Sequence, residues 1–562
     1  MSANDGSEHT LADPAERWRS TVVLGDGSTA LIRPIRPDDA PDLAAFHERQ
    51  SYESNYRRYF SAKPTLTAAE LKRFTEVDFI DRAAFVIEDH GEFIAWASYD
   101  RWTNRSDAEV AFQVDDNNQG RGIATLLLEH LAAVAHENDI NRFTAQTLGD
   151  NRAMLAVFSK AGWPVQRRFE SGVIDIDFPL DPTSEFIDSV ERREQRADSR
   201  AIARLLLPSS IAVVGASDTP DSIGGAIWSN VTRIDSIPVY AVNPHHTTIG
   251  GQQTYARVSD IDGDVGLALI AVPPSQLDAV IDDCIDKRVR GAVVITVVDH
   301  GEVSVSEMVE RARRNGLRII GPGSMGIAST RDDVGIQAAL AHVTLPSGRV
   351  AISMQSGTLG SSLLDLANRL QLGLSWFVSL GAKRDVSAND LLQFWEDDDA
   401  TQVIALYTES LGNPRKFARI ARRVSRHKPI VAVRTGAAML GNATAVLFRQ
   451  TGVIEVPTVA AMLDTARVFA TQPPLEGRNI AVISNSRSPE VLARATLDAA
   501  GLVAVDPPRQ LDWNGSIDDY DHAIRQALND ESIHGVLVIH APPVAGARCL
   551  RANRCLVTMA TR

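Results

Sequence analysis

The sequence predicts an α/β protein of several domains: a front segment with a mixed central sheet and flanking helices, then tandem units of parallel strands and helices. Three observations carry this. The chain has 562 residues, which is roughly three to four domains of ~150 residues each. From about residue 206 onward, short apolar strands alternate with longer helical stretches, the grammar of parallel sheets. Before residue 180, strands follow one another across tight glycine turns, a pattern that only antiparallel neighbours allow.

Composition narrows the function classes. Acidic residues number 71 and basic residues 57, a net charge of −14. Neutralising phosphates needs clustered Lys and Arg, so nucleic acid is not an expected partner. The three cysteines, Cys284, Cys549 and Cys555, form no C-x-x-C pair. Neither a disulfide scaffold nor a metal site is expected, and a reducing cytoplasm fits. The opening MSANDGSEHTLADPAERWRS lacks an apolar core, so it is not a secretory signal. No apolar run approaches the ~18 residues of a membrane span, so no membrane partner is expected.

The elements follow in order. Residues 1–20 read as a disordered tail, and STVVLGDGSTALIRPIRP as a hairpin around Gly25-Asp26-Gly27. A helix follows Asp38 and Asp39, with Leu43, Phe46 and His47 on its apolar face, and a second spans Ala68–Thr75. AAFVIED and EFIAWASYD are strands about the Gly91 turn, followed by the strand AEVAFQV. A glycine loop leads into a helix over Gly122–Glu137; its His130 and His136 read as surface residues. RFTAQTL is a strand, Asn151–Ala161 a helix, and GVIDIDF closes the front domain, 21–182. Residues 183–205 are charge-dense and free of internal glycine, as a linker helix requires. Strands SIAVVGAS, PVYAVNP, LALIAVPP, GAVVIT and RIIGPG, with helices at Gln276–Lys287 and Ser304–Asn315, make a domain over 206–332. GRVAISMQSG, LSWFVSLG, VIALYTE and PIVAVRTG make the next, 333–472. NIAVISNS and GVLVIHAPP belong to a third, incomplete unit, 473–562, whose last stretch departs from the expected continuation.

The most informative stretch is AEVAFQVDDNNQGRGIATLLLEHLAAVAHE. Period-two alternation puts Val110, Phe112 and Val114 on one strand face and Glu109, Ala111 and Gln113 on the other. Gln119-Gly120-Arg121-Gly122-Ile123-Ala124 then runs into an amphipathic helix. Bare backbone N–H groups at a helix N-terminus suit a pyrophosphate. The plainer readings are an ordinary strand–helix connection and, for Glu109, a solvent-facing strand residue. The loop, together with NRAMLAVFSKAGW at Asn151–Trp163, resembles the GNAT superfamily of acyl-CoA-dependent N-acetyltransferases, over roughly residues 21–180. IRPIRPDDAPDLAAFHERQSYESNYRRYFSAKP and the glycine-loop stretch resemble its Pat-type protein lysine acetyltransferases. The resemblance implies that Phe112, Val114, Gln119, Gly120, Arg121, Gly122, Ile123, Ala124, Asn151 and Phe158 bind acetyl-CoA or another acyl-CoA. It also implies that Glu109 is the general base. The chemistry needs one: a lysine amine has an ordinary pKa near ~10.4, and a positioned base contributes ~10²–10⁴-fold.

The body shows four signatures in order: SIAVVGASDTPDSIG, YAVNP, IAVPP and IIGPGSMG. Without G-x-G-x-x-G, nicotinamide binding is disfavoured. Together they resemble the Rossmann-like CoA-binding domain of NDP-forming acyl-CoA synthetases, relatives of the succinyl-CoA synthetase alpha chain. The resemblance implies a second CoA site at Gly215, Ala216, Ser217, Asn243, Val272 and Pro273. His245 stands where the family has its basic phosphate partner, and Gly323 and Ser324 stand where it has Asn and Cys. SMQSGTLG, at Ser353–Gly360, resembles the segment whose helix start receives a phosphohistidine in the flavodoxin-like ligase domains; Ser356, Gly357 and Thr358 suit an anion. The phosphohistidine loop itself is absent: VAVRTGAAMLGNATAVLFRQTGVIEV has no histidine, and His427 upstream reads as a surface residue. The family's ATP-grasp domain, ~200 residues, is not expected either, nor is there a G-x-x-x-x-G-K-S/T loop.

The expectation is an acetyl-CoA-dependent protein lysine N-acetyltransferase with a CoA-binding synthetase-like body that regulates without turning over. By resemblance its protein partner is an AMP-forming acyl-CoA synthetase. A small-molecule amine acetyltransferase and a non-enzymatic CoA-binding regulator or scaffold remain open at this point. The sequence carries no signal for an oligomeric state.

Overall fold

The computed structural model describes residues 16–103, 105–181, 183–234, 236–298, 304–331, 335–341, 345–435, 437–541 and 556–561. Most of the expected N-terminal tail, together with Cys549 and Cys555, lies outside them. The chain forms two compact units, Met1–Val459 and Ala460–Arg562.

The first unit opens with β1 (Ser20–Val23), β2 (Thr29–Pro34), α1 (Ala40–Arg49), α2 (Tyr52–Tyr59), α3 (Ala68–Thr75), β3 (Arg82–Asp89), β4 (Glu92–Arg101) and β5 (Asp107–Val114). It continues with α4 (Ile123–Glu137), β6 (Arg142–Leu148), α5 (Arg152–Lys160), β7 (Gln166–Glu170) and β8 (Val173–Pro179). The eight strands form one sheet in the order β1-β2-β3-β4-β5-β6-β8-β7. Only β5 and β6 run parallel; the other neighbours are antiparallel. Its core joins β3–β6 to α4 through residues such as Phe85, Phe112, Leu127, Leu131 and Phe143. The mixed sheet with flanking helices is the predicted front domain.

Two elements escape the sequence pattern. Helix α2, YESNYRRY, has no apolar stripe; it is started by Ser51 Oγ, which accepts from Ser54 N at 3.2 Å. Strand β7 is exposed along its whole length; it pairs with β8, and Arg167 donates to Ser159 Oγ on α5. One expectation is corrected. His130 is half-buried rather than a free surface residue: its ring packs edge-on against Phe85 at 5.8 Å, and Nδ1 lies 2.9 Å from the Leu126 carbonyl. His136 is exposed.

Helix α6 (Ser184–Leu206) follows, capped by Thr183 Oγ1. The second sheet comprises β9 (Ile211–Val214), β10 (Val239–Val242), β11 (Thr248–Ile249), β12 (Gln252–Tyr255), β13 (Leu267–Ile270), β14 (Gly291–Val294) and β15 (Arg318–Ile320). Helices α7 (Ile223–Val231), α8 (Pro274–Asp286) and α9 (Val305–Arg314) lie between them in the chain. Strand order is β11-β12-β10-β9-β13-β14-β15, parallel except for the edge strand β11. The third sheet has the order β17-β16-β19-β18-β20-β21-β22. Its strands are β16 (Gly326–Ser329), β17 (Gln337–Ala339), β18 (Ser347–Met354), β19 (Leu374–Ser379), β20 (Val403–Thr408), β21 (Ile430–Arg434) and β22 (Ile454–Glu455). With them come α10 (Gly357–Arg369), α11 (Ala388–Asp397), α12 (Pro414–Val424) and α13 (Ala437–Thr451). The centre is parallel; β16 and β17 add an antiparallel edge.

The second unit carries α14 (Val459–Thr471), β23 (Asn479–Ser484), α15 (Arg487–Ala499), β24 (Val503–Val505), α16 (Ile517–Asn529), β25 (Gly535–His540) and β26 (Leu556–Thr561). Its sheet, β24-β23-β25-β26, is parallel except for β26. Among the described residues no helix is long and apolar enough to cross a membrane.

Candidate active site and coenzyme sites

Strands β5 and β6 pair over three residues only: Asp107 with Arg142, Ala108 with Phe143 and Glu109 with Thr144. Beyond Glu109, β5 stays with β4 as far as Val114, whereas β6 stays with β8 as far as Leu148. The sheet therefore splits directly after Glu109. A cavity of about 430 Å³ occupies the split, with Val110–Val114 along one wall and Ala145–Thr147 along the other. Strand edges parted in this way offer N–H and C=O groups to an extended chain that carries amides.

The glycine loop forms the next wall. Gly120 and Gly122 have φ of 79° and 78°, a left-handed backbone that glycine enters without a Cβ penalty. Gly122 is the N-cap of α4, so the first N–H groups of α4 point to the cavity side lined by Gln119, Gly120, Gly122, Ile123 and Ala124. Arg121 differs from its neighbours. Its guanidinium bonds to Ser28 Oγ at 2.6 Å, to Asp26 at 3.2 Å, to Asp89 at 3.3 Å and to Asn118. Its carbonyl accepts from Gly25 N at 2.7 Å. Arg121 thus braces the loop from behind.

Asn151 Oδ1 accepts from Met154 N at 3.1 Å and starts α5, which leaves the amide NH₂ as the group Asn151 can offer the cavity it lines. Phe158 is buried between Phe112, at 6.1 Å, and Phe178, at 5.6 Å. Glu109 is half-buried, lines the cavity, and stands in register with Asp100 on β4 and Thr144 on β6. The structure brings Glu109, Phe112, Val114, Gln119, Gly120, Gly122, Ile123, Ala124, Asn151 and Phe158 to one cavity. The same cavity takes Ser54, Arg57, Arg58 and Phe60 from α2 and its end, residues that the sequence did not single out. The available signal was the Ser51 cap ahead of a stretch that carries two arginines and three tyrosines.

In the second sheet the chain moves from β9 outward to β10, then returns to the other side of β9 with β13. The C-terminal ends of β9 and β13 therefore flank a topological switch point, where open α/β sheets take ligands. Gly215, with φ 90°, leaves β9 so close to β13 that a Cβ would lie 2.3 Å from the Ala271 carbonyl. Asn243 Nδ2 donates to the Ala216 carbonyl at 2.9 Å, and Asn243 Oδ1 accepts from His245 N at 3.0 Å. Thr296 Oγ1 donates to the Val272 carbonyl at 2.7 Å. Gly215, Ala216, Ser217, Asn243, Val272 and Pro273 are thus gathered at one sheet end. Ser324 is a buried structural residue, donating to the Ser379 carbonyl at 2.5 Å, and the N–H of Met325 donates to Ser379 Oγ at 3.0 Å. Gly357 opens α10 beside Gly323, whose carbonyl would lie 3.2 Å from a Cβ on Gly357. The Thr358 side chain and Gly436 lie outside the described residues. His427 is exposed, as predicted.

Three family models match the chain: "Acetyltransferase (GNAT) domain" over 30–163, "CoA binding domain" over 209–330 and "Succinyl-CoA ligase like flavodoxin domain" over 347–469. The alpha subunit of ADP-forming acetate–CoA ligase II from Pyrococcus furiosus is 32% identical over 315 residues, 52% of this chain and 68% of that subunit. This chain belongs to the NDP-forming acyl-CoA synthetase family, with a GNAT domain joined in front: the Pat-type fusion. ADP-forming acetate–CoA ligase from Methanocaldococcus jannaschii is 34% identical over 305 residues, 51% of this chain but only 43% of the ligase. The chain thus spans less than half of that relative. On the GNAT side, acetyltransferase Pat from Mycolicibacterium smegmatis is 33% identical over 192 residues, 33% of this chain and 57% of Pat. Among solved structures, the dinucleotide-forming acetyl-coenzyme A synthetase 1 of Ca. Korarchaeum cryptofilum covers 60% of this chain and 82% of its own, at 30% identity and TM-score 0.56. The Pat-type fusion therefore pairs an acyltransferase domain with a synthetase-like, CoA-binding body.

Proposed function

We propose that the GNAT domain transfers the acetyl group of acetyl-CoA to a lysine amine of a protein, with Glu109 as general base. The observation that carries this is the split of β5 from β6 directly after Glu109, which places a carboxylate at the end of a cavity walled by the glycine loop, Asn151 and Phe158. Glu109 takes a proton from the lysine ammonium, directly or through one water. The neutral amine attacks the thioester carbonyl, a C–N bond forms, the C–S bond breaks, and the CoA thiolate leaves with a proton from the amine or solvent. The parted strand edge holds the coenzyme's extended amide arm, and the start of α4 holds its pyrophosphate.

The body is read as a CoA-binding regulator without synthetase turnover. No histidine occurs between Val431 and Val456, where the family carries its phosphohistidine, while the gathered residues at the ends of β9, β10 and β13 suit CoA. A ligand that prefers one conformation shifts its population. The substrate class, from the Pat resemblance, is an AMP-forming acyl-CoA synthetase modified at its active-site lysine.

The experiment combines the purified full chain, radiolabelled acetyl-CoA and a panel of AMP-forming acyl-CoA synthetases, with peptide mapping of the label. Label on one lysine supports the reading; label found only on small amines contradicts it. With labelled ATP, acetate and CoA, the full chain is expected to form neither phosphoprotein nor acetyl-CoA. An acid-labile phosphoprotein would remove the inactive-body reading.

A further inference from the structure

The acceptor end of the cavity holds a cation that the transfer reading leaves without a task. Arg58 lies on α2, and α2 crosses β5 and β6 where they part. The position of α2 is fixed by a buried chain of hydrogen bonds. Trp96 Nε1 donates to Gln113 Oε1 at 3.3 Å, and Gln113 Nε2 donates to Asn55 Oδ1 at 2.8 Å. Arg58 follows Asn55 by three residues and so shares its helix face. Its guanidinium sits over the rings of Tyr59, at 5.0 Å, and Trp96, at 5.5 Å. Aromatic faces attract a guanidinium and hold its plane.

That packing seals the Nε of Arg58 from solvent, with no hydrogen-bond partner among the described residues. The rest of the guanidinium, half-buried, faces the cavity, and its charge there favours an anion across it. The carboxylates whose charge reaches Arg58 are Glu109, which lines the same cavity, and Asp100, its register neighbour on β4; neither forms an ion pair with Arg58 within 4 Å. Asp100 also pairs with Arg73 at 3.3 Å. The Glu109 carboxylate makes no hydrogen bond among the described residues, and it lines the same cavity as Arg58.

We propose that Arg58 is a positioning residue for Glu109: its charge, fixed by the Trp96 and Tyr59 rings, answers the Glu109 carboxylate and holds it at the acceptor end of the split. The inference rests on the proposed role of Glu109 as base. Three physical consequences follow. The Arg58 charge matters to the transfer step more than to coenzyme binding, because the glycine loop and Asn151 lie on other elements. A lysine at position 58 supplies a charge without the planar fork. Finally, the effect of Arg58 passes through Glu109 and vanishes when Glu109 carries no charge.

The test measures steady-state acetyl transfer by the full chain, to a synthetase shown to accept label, for wild type, Arg58→Met, Arg58→Lys, Glu109→Gln and the double variant Arg58→Met/Glu109→Gln. Melting temperatures confirm that each variant is folded. Arg58→Met is expected to lower kcat about 10- to 100-fold, within the range for groups that serve acid–base catalysis, with the KM for acetyl-CoA changed by less than about twofold. Arg58→Lys is expected to recover at least half of the logarithm of that loss. In the Glu109→Gln background, Arg58→Met is expected to add less than about twofold, since residues that act as a unit are not additive. Wild-type kcat in Arg58→Met, equal losses in the Met and Lys variants, or full additivity with Glu109→Gln would each overturn the assignment. If Glu109→Gln itself transfers like wild type, the base assignment fails instead, and the two failures are told apart by that single variant.

Discussion

His130 shows how a residue's surroundings can reverse its reading. In the sequence it sits in an amphipathic helix near acidic residues, yet its ring packs against Phe85. Burial holds the imidazole below its ordinary value of 6.5, against the opposing pull of the Leu126 carbonyl. The unfolded chain therefore binds the proton more tightly than the folded one. The stability this group supports is complete above pH 6.5 and is lost as pH falls from there through the lower folded value. Wild type is expected to lose more unfolding free energy between about pH 7 and pH 5 than His130→Leu, measured by urea titration. Parallel curves would place the imidazole in solvent after all. The place of Glu109 on its strand was legible from alternation and from the glycine loop that ends the strand, but only the family resemblance singled it out as a base. The outward turn of Arg121 was not, because its partners Asp26, Ser28 and Asp89 lie far from it in sequence.

At the scale of elements, the loop into α4 and the helix α5 were readable from glycine, asparagine and apolar spacing. Helix α2 was not. Its sequence has no apolar stripe, and it owes its place to the Ser51 cap and the Asn55–Gln113 bond, which join segments distant in sequence. Strand β7 was missed for a related reason: an exposed edge strand needs no alternation. The central parallel strands of the body were legible, but the short parallel strands β12, β22 and β24 were not singled out, and β11, β16, β17 and β26 add antiparallel pairings that short or atypical segments do not announce. The loop supports a direct prediction. A Cβ on Gly122 would come no nearer than 3.9 Å to Gly25 N, and aspartate tolerates a left-handed backbone better than most residues. Gly122→Asp is therefore expected to fold but to place a negative charge where the pyrophosphate is proposed to bind. Calorimetry should show at least a hundredfold weaker acetyl-CoA binding at this site, about 2.7 kcal/mol. Unchanged affinity in a folded variant would remove the loop assignment.

Across the first unit, α6 touches both functional halves. On the GNAT side, Phe186 stacks on Trp163 at 4.1 Å, Arg193 pairs with Glu129 of α4, and Arg200 donates to the Gly25 carbonyl, beside the backbone bond to Arg121. On the body side, Asp198 accepts from Gln393 at 2.7 Å and Lys416 at 2.9 Å, and Gln195 donates to Glu396 at 3.0 Å. The charge density of 183–205, legible as a linker helix, thus supplies two docking faces. If the body binds CoA, α6 is the physical route to the glycine loop, with coupling on the usual scale of ~1–3 kcal/mol. Acetyl-CoA titrated into the full chain is expected to show two binding events. Gly215→Asp is unsuitable for deleting the second, because its Cβ would strike the Ala271 carbonyl. Ser217→Glu is expected to erase it and leave the first, and a single-site isotherm in wild type would favour a body that binds nothing. Asp198→Ala is expected to cost about 1–3 kcal/mol, leaving Lys416 without its partner. It should also abolish the effect of CoA on transfer while basal kcat stays within about twofold; an intact CoA effect would rule out α6 as the route.

The central claim is that Glu109, at the parting of β5 and β6, removes the proton from an acceptor lysine. The most direct measurement is single-turnover acetyl transfer from labelled acetyl-CoA to a synthetase lysine, by the full chain with Glu109 and with Glu109→Gln, both saturated with acetyl-CoA. The predicted result is a rate about 10²–10⁴-fold lower in the variant, with acetyl-CoA affinity unchanged within about twofold. Equal single-turnover rates for the two proteins would contradict the account.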